Sequence, residues 1–229
     1  MIKNIFTLIL FINIVYTTQK ILVPMDSNQT NHLKAYGMAY SSLINQNKVE
    51  WLLNYRGGSF LFNFSNQLKK ECLLKNIYCE VLSIEEISMI YATIEEENME
   101  LIILEKAPKI AVYSPPNQQP WDDAVTLALT YAEIKYDVLF DDEVMNDKLY
   151  KYDWLHLHHE DFTGQYGKFY RYRNQRWYKD MENSFIKTAK KYGFNTVHHF
   201  KKTIALKIKD YISNGGFVFA MCSATDSFD

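Results

Sequence analysis

A cysteine near the end of the sequence, Cys222, stands where a nucleophile of an α/β protein could work. The apolar run 217–221 before it predicts a strand, and the small polar residues after it are typical of a helix start. A thiol on such a turn would lie at the carboxyl edge of a parallel sheet, where ligands bind. The helix N-terminus would stabilise a thiolate and an oxyanion. Cys222 is therefore the candidate catalytic residue, and a buried structural cysteine at the end of a strand is the alternative.

Two histidines and a glutamate form a second group of reactive side chains. On a strand, His156, His158 and Glu160 would project to one face, because side chains alternate with period two. Ser114 follows another predicted strand and would line the same crevice. Such a set is plausible for Zn²⁺ or Fe²⁺, but three neighbouring ligands from one strand rarely complete a coordination shell. We therefore predict polar contacts to a substrate from these four residues, with no metal and no cofactor, and structural histidines hydrogen-bonded within the protein are the alternative.

Arginines alternate with aromatic residues in the segment 169–177, which includes Arg171 and Arg173. Such side chains can stack on sugars or bases and pair with carboxylates. We predict that both arginines contact a small-molecule or peptide ligand, and a surface loop with ordinary packing is the alternative. The basic stretch 168–209 is interpreted as solvated helix faces, and the net charge of −2 disfavours nucleic acid as a partner.

The first residues have the order of a secretory signal peptide, predicted over 1–19. A basic start is followed by a mainly apolar run at 5–16 and then by small polar residues. The apolar run is shorter than the ~20 residues that span a bilayer, so no stable membrane anchor is predicted. We expect an exported protein, periplasmic or secreted, and a buried first strand or helix is the alternative interpretation.

Apolar runs and helical spacing alternate along the rest of the chain, which predicts an α/β fold. An N-terminal α/β segment is predicted over 20–105 and a second α/β domain over 106–229. The alternation favours parallel β-α-β packing in both, whether in one sheet or in two. In the second domain, strands are expected at 110–113, 136–140, 152–158 and 217–221.

The strand–cysteine–helix element follows a strand–loop–helix at 110–134, and together they resemble a known core. It is the flavodoxin-like core of class I glutamine amidotransferases and their non-amidotransferase relatives. The resemblance implies a nucleophile at Cys222, with its histidine and acidic partners later in the chain, beyond residue 229. It therefore implies a domain that is incomplete at its C-terminus and a chain that is inactive and poorly stable as given.

Four segments resemble a group of exported bacterial proteins often labelled asparagine synthetase B. They are LVPMD at 22–26, QTNHLKAY at 29–36, VEWLLNYRGGS at 49–59 and WLHLHHED at 154–161, and the likeness covers most of 20–229. The two resemblances together imply a C-terminally truncated copy of an exported amidotransferase-like enzyme, in which Cys222 attacks an amide or acyl carbonyl. A non-catalytic module for ligand binding or envelope assembly on the same fold is the alternative.

Overall fold

The computed structural model describes residues 19–115, 123–160, 162–163 and 166–228. The predicted signal peptide, apart from Gln19, lies outside the described residues, as does most of the loop after the strand at 110–113. The described chain forms two compact units. The first contains the residues up to 32 and 48–105, and the second contains 33–47 and the residues from 106 onward.

The strands are β1 (Lys20–Val23), β2 (Val49–Leu53), β3 (Ser59–Asn63), β4 (Glu80–Leu82), β5 (Glu100–Leu104), β6 (Ile110–Tyr113), β7 (Tyr136–Leu139), β8 (Trp154–Leu157) and β9 (Phe217–Ala220). The α-helices are α1 (His32–Ile44), α2 (Asn66–Leu74), α3 (Ile84–Glu96), α4 (Ala124–Tyr131), α5 (Asp141–Met145), α6 (Arg176–Lys191) and α7 (Val197–Ser213). Short 3-10 helices cover Tyr55–Gly57, Lys148–Lys151, Tyr166–Tyr172 and Cys222–Phe228.

The sheet of the first unit is antiparallel, so the prediction of parallel packing over 20–105 is wrong. Its strand order among the described residues is β4–β1–β3–β2–β5, and each neighbouring pair is antiparallel. The cause lies in the turn before β3, where Gly57 and Gly58 have φ of 82° and 92°. Glycine adopts this left-handed conformation without a steric penalty, and the chain reverses there. A hairpin results in which Trp51 lies opposite Phe60.

Helix α3 covers one face of this sheet. Ser83 begins the helix with a capping box, because its hydroxyl accepts the N–H of Glu86 and the Glu86 carboxylate accepts the N–H of Ser83. The buried side chains of the helix, Ile87, Ile90 and Ile94, recur at helical spacing and belong to the same core cluster as leucines of β1 to β4. The first unit therefore has a core of its own.

The second unit contains the parallel sheet that the sequence predicts, and the α/β class is confirmed. Its order is β7–β6–β8–β9, and each neighbouring pair in this four-stranded sheet is parallel. Strand β6 is buried along its whole length, as is usual for a central strand between two layers. Helix α7 packs on the sheet through Phe200, Ile204 and Ile208, which are at most 3% exposed. Because the strands are parallel, the loops that follow them lie at one edge of the sheet.

Helix α1 precedes β2 in the chain but belongs to the second unit. Its Gly37 faces the end of α4 so closely that a Cβ added there would lie 1.8 Å from the carbonyl oxygen of Ala132. The Lys34 ammonium pairs with Glu133 at 2.6 Å just beyond that contact. Among the described residues, no helix has both the length and the apolar character needed to cross a membrane.

Candidate functional site

The candidate site lies at the carboxyl edge of the parallel sheet. Strand β6 has β7 on one side and β8 on the other, so the connections that leave the sheet diverge at this point. Open α/β sheets form a ligand crevice at such a topological switch. Ser114 follows β6, His158 follows β8 by one residue, and Cys222 follows β9 by two. The fold therefore brings the predicted site residues of three separate segments to one edge.

Asp123, at the start of α4, makes the central contacts of this edge. It is the N-cap of α4 and accepts the N–H of Thr126 at 2.9 Å. The same carboxylate lies 3.0 Å from Nε2 of His156 and 3.1 Å from the backbone N of His159. The residue is only 3% exposed. A buried carboxylate in this position holds two loops and a strand together.

The pKa of Asp123 is well below its usual range. Burial alone would raise that pKa, since it penalises the charged form. The hydrogen bond from His156 and the backbone N–H groups of Thr126 and His159 outweigh this effect, because each stabilises the carboxylate. Asp123 therefore stays ionised and acts as a fixed negative charge under the histidines.

His156 is fully buried, and both of its ring nitrogens contact oxygen atoms. Nδ1 lies 3.2 Å from the backbone oxygen of Phe219, and Nε2 lies 3.0 Å from the Asp123 carboxylate. These contacts tie β8 to β9 and to α4, so the polar atoms of His156 are used within the protein.

His158 is buried and neutral. Its Nδ1 accepts the N–H of Glu160 at 3.1 Å, and its ring stacks on His159 at 4.6 Å between centroids. Burial lowers the pKa of His158 to about 4, with the nearby His159 and His156 adding to that effect and Asp123 opposing it. The imidazole is therefore an uncharged part of the edge at neutral pH.

Of the three histidines at this edge, His156, His158 and His159, it is His159 that reaches solvent, with a side chain 27% exposed. Its Nδ1 lies 3.3 Å from Oδ2 of Asp123, and its Nε2 lies 3.7 Å from Oε1 of Glu160. The period-two argument placed this residue on the opposite face of the strand. Strand β8 ends at Leu157, so the alternation no longer applies at residue 159. The result is an imidazole with one nitrogen held by a buried carboxylate.

A divalent cation could use Asp123, His158 and His159, whose ligand atoms lie within 4.8 Å of one another. The set is poorly arranged for that purpose. Asp123 already accepts hydrogen bonds from His156, Thr126 and the backbone of His159. A cation at this place would compete with those donors, and a hydrogen-bonded network needs no cation.

Cys222 is exposed and has a backbone φ of 57°. A residue with a Cβ seldom adopts this left-handed conformation, which costs about 1–2 kcal/mol. The residue lies two positions after the end of β9 and starts a 3-10 helix rather than the expected α-helix. The hydroxyl of Ser223 donates to the backbone oxygen of His159 at 2.8 Å. The turn that carries the thiol is thereby tied to the loop that carries His159.

The other predicted contact residues lie at different distances from this cluster. Ser114 is 2% exposed, and its hydroxyl donates to the carbonyl of Pro115 at 3.4 Å. Glu160 lies beside His159, as described above. Arg171 and Arg173 are exposed, and their guanidinium groups stack on the rings of Tyr172 and Tyr170 at 4.5 and 4.9 Å. The described contacts therefore connect Glu160 with the histidine cluster and give no link from the two arginines to it.

Comparisons with known proteins identify no relative. No family model, no curated protein and no solved structure matches this chain.

Proposed function

We propose that this protein is an exported, glutamine-amidotransferase-like enzyme in which Cys222 attacks an amide or ester carbonyl. One observation carries the proposal: an exposed thiol stands on a strained backbone two positions after the end of a strand of the parallel sheet. Strain at a residue with a Cβ persists only where the surroundings impose it, and such residues cluster at active sites. Nucleophile elbows of other α/β enzymes place their nucleophile on the same kind of turn.

The strand order also supports the proposal. Counted within the second unit, the order is 2-1-3-4, which is the first part of the flavodoxin-like order 2-1-3-4-5. The cysteine follows the fourth of these strands. The turn that carries the thiol is tied to the His159 loop through Ser223, and that loop is tied to the start of α4 through Asp123. We therefore extend the α/β class to a flavodoxin-like fold as part of the proposal.

For this chemistry we propose His159, held by Asp123, as the base within the chain, in place of the partners beyond residue 229 that the resemblance implies. The carboxylate would hold Nδ1 of the imidazole and stabilise the imidazolium that forms when the thiol gives up its proton. The thiolate then bonds to the carbonyl carbon, and the imidazolium returns the proton to the leaving amine or alcohol. Water hydrolyses the resulting thioester and restores the thiol. Each step needs only Cys222, His159, Asp123 and water.

The experiment is the rate of alkylation of Cys222 by iodoacetamide as a function of pH. It is made in a Cys72→Ala/Cys79→Ala background, because the Cys72 thiol lowers the pKa of the Cys79 thiol and Cys79 would react as well. We expect Cys222 to be alkylated rapidly already at neutral pH, where a free cysteine is mostly the unreactive thiol. His159→Gln should slow the alkylation at that pH, whereas His198→Gln, an exposed histidine on α7, should leave the rate unchanged.

Alkylation in this background with the pH dependence of a free cysteine would contradict the enzyme hypothesis. Rapid alkylation at neutral pH that His159→Gln does not slow would retain the nucleophile and remove His159 as its base. The alternative, a ligand-binding module on the same fold, is favoured by a separate observation, the cleft described next.

A further inference from the structure

A cleft with a volume of about 610 Å³ opens at the carboxyl ends of β6 and β7. Its walls are the start of α5 and one face of α6. In the sheet it lies on the β7 side of β6, whereas Cys222 and the histidines follow β8 and β9 on the other side. Clefts of this size hold small organic ligands, commonly on an apolar lining with a few polar groups. The cleft is therefore a candidate binding site separate from the thiol.

The charged side chains in the lining are acidic. Asp141, Asp142, Glu143 and Asp180 contribute carboxylates, and none of the described residues that line the cleft is a lysine, arginine or histidine. Carboxylates accept hydrogen bonds and do not donate them. The lining therefore favours a ligand that donates hydrogen bonds and carries positive charge over an anionic one.

Each of these carboxylates has a basic partner outside the lining: Lys201 at 2.7 Å from Asp141, Lys191 at 2.8 Å from Asp142, Lys148 at 3.4 Å from Glu143 and Arg176 at 3.7 Å from Asp180. The last pair is the longest, and its side chains are 96% and 69% exposed. An ion pair that is this long and this exposed contributes little free energy and is easily exchanged. Asp180 is therefore the carboxylate that a cationic ligand could engage at the smallest cost.

Aromatic rings are the second feature of the cleft that favours a cationic ligand. Trp177, Phe140 and Phe185 line the cleft. The buried ammonium of Lys201 lies 4.3 Å from the centroid of the Phe140 ring and 4.7 Å from that of Phe185. These two rings therefore already hold a cation by cation–π attraction inside the protein, at distances within the usual 6 Å or so. Trp177, the best ring type for this interaction, belongs to the α6 wall of the cleft.

From the acidic lining and the aromatic walls together, we propose that this cleft binds an organic cation, namely a primary ammonium on a flat apolar body. The ammonium lies by Asp180 and the body lies against Trp177 and the phenylalanine rings. This binding is independent of the thiol chemistry proposed for Cys222.

The test compares three probes of the same shape on the full chain by isothermal titration calorimetry at low salt. They are 2-phenylethylamine (cation), 2-phenylethanol (neutral) and phenylacetate (anion). We expect the amine to bind roughly twofold to fivefold more tightly than the alcohol, the range that a largely exposed ion pair with Asp180 contributes, and the anion to bind most weakly.

Two variants locate the binding. Asp180→Asn and Trp177→Leu should each weaken amine binding several-fold, whereas Asp210→Asn, an exposed acid on α7 outside the cleft, should leave it unchanged. Asp180 is largely exposed, so its variant should fold normally. Equal binding of the three probes, no amine binding, or unchanged affinity in Asp180→Asn would overturn the proposal. None of these outcomes depends on Cys222, so the two proposals can fail separately.

Discussion

The ion pair between Lys201 and Asp141 is buried, and removing one partner should be far more costly than removing both. Nζ of Lys201 lies 2.7 and 2.8 Å from the two carboxylate oxygens of Asp141, and the side chains are 4% and 2% exposed. The hydroxyl of Tyr113 donates to the same carboxylate at 2.6 Å. Helix α7, the start of α5 and the end of β6 therefore meet at one charged point inside the core.

The expected magnitudes follow from the burial of these charges. Lys201→Met leaves the carboxylate with Tyr113 as its described side-chain donor, and Asp141→Asn leaves an ammonium in the core. Each single change should lower the free energy of unfolding by about 3–5 kcal/mol. The double variant leaves no buried charge of the pair and should lose at most about 3 kcal/mol. The coupling energy between the two positions should therefore be at least about 3 kcal/mol.

Urea unfolding at pH 7, followed by circular dichroism, measures these free energies. The matched control is Lys48→Met, which removes an ion pair with Glu105 whose two side chains are each 64% exposed. That change should cost no more than about 1 kcal/mol. Single-variant losses below about 1 kcal/mol, or a double variant whose loss equals the sum of the singles, would refute the argument that burial makes this pair costly to break.

Three further predictions concern His158, Gly37 and Cys222. Because the pKa of His158 is lowered to about 4 and an unfolded histidine titrates near 6.5, the unfolded state binds its proton first as the pH falls. The free energy of unfolding should therefore fall by about 3 kcal/mol between pH 6.5 and pH 4 because of His158. In urea titrations, His158→Gln should remove this part of the pH dependence. An unaltered pH profile in that variant would show that His158 is not the group responsible. Gly37→Ala should lower the free energy of unfolding by about 1–3 kcal/mol, because the added Cβ overlaps with Ala132, and the urea midpoint should fall accordingly. Ser41→Ala on the same helix should change the free energy of unfolding by less than about 0.5 kcal/mol. Cys222→Gly should be more stable than Cys222→Ala by about 1 kcal/mol, since only glycine adopts a φ of 57° freely; equal stabilities would count against backbone strain.

The parallel sheet could be predicted from sequence because its strands are short apolar runs that alternate with helical spacing. Strand β6 is such a run, and its burial on both faces agrees with that pattern. The first sheet could not be predicted in the same way, because β2 and β3 are joined by the short Gly57-Gly58 turn rather than by a helix. Such a tight turn makes two strands antiparallel, whereas parallel strands need a crossover connection of a dozen or more residues.

The position of the candidate residues at one sheet edge could be predicted from the sequence, whereas the contacts of Asp123 and His159 could not. The ends of β8 and β9 could be placed at one edge because parallel strands end together. The role of Asp123 could not, because an aspartate at a helix start is usually solvated and only the fold shows that this one is buried. His159 was missed for a different reason, since the period of a strand holds only as far as the strand continues.

The position of helix α1 has a consequence for how the protein could be divided. The chain passes between the units at residues 32–33, 47–48 and 105–106, so no single cut separates them. A fragment beginning at residue 106 would lack α1, and the backbone at Ala132 would lose its close contact with Gly37 of that helix. An expression library that trims this chain from its N-terminus should therefore lose soluble second-unit protein once the truncation passes residue 33, about seventy residues before the boundary that a linear view of the sequence suggests.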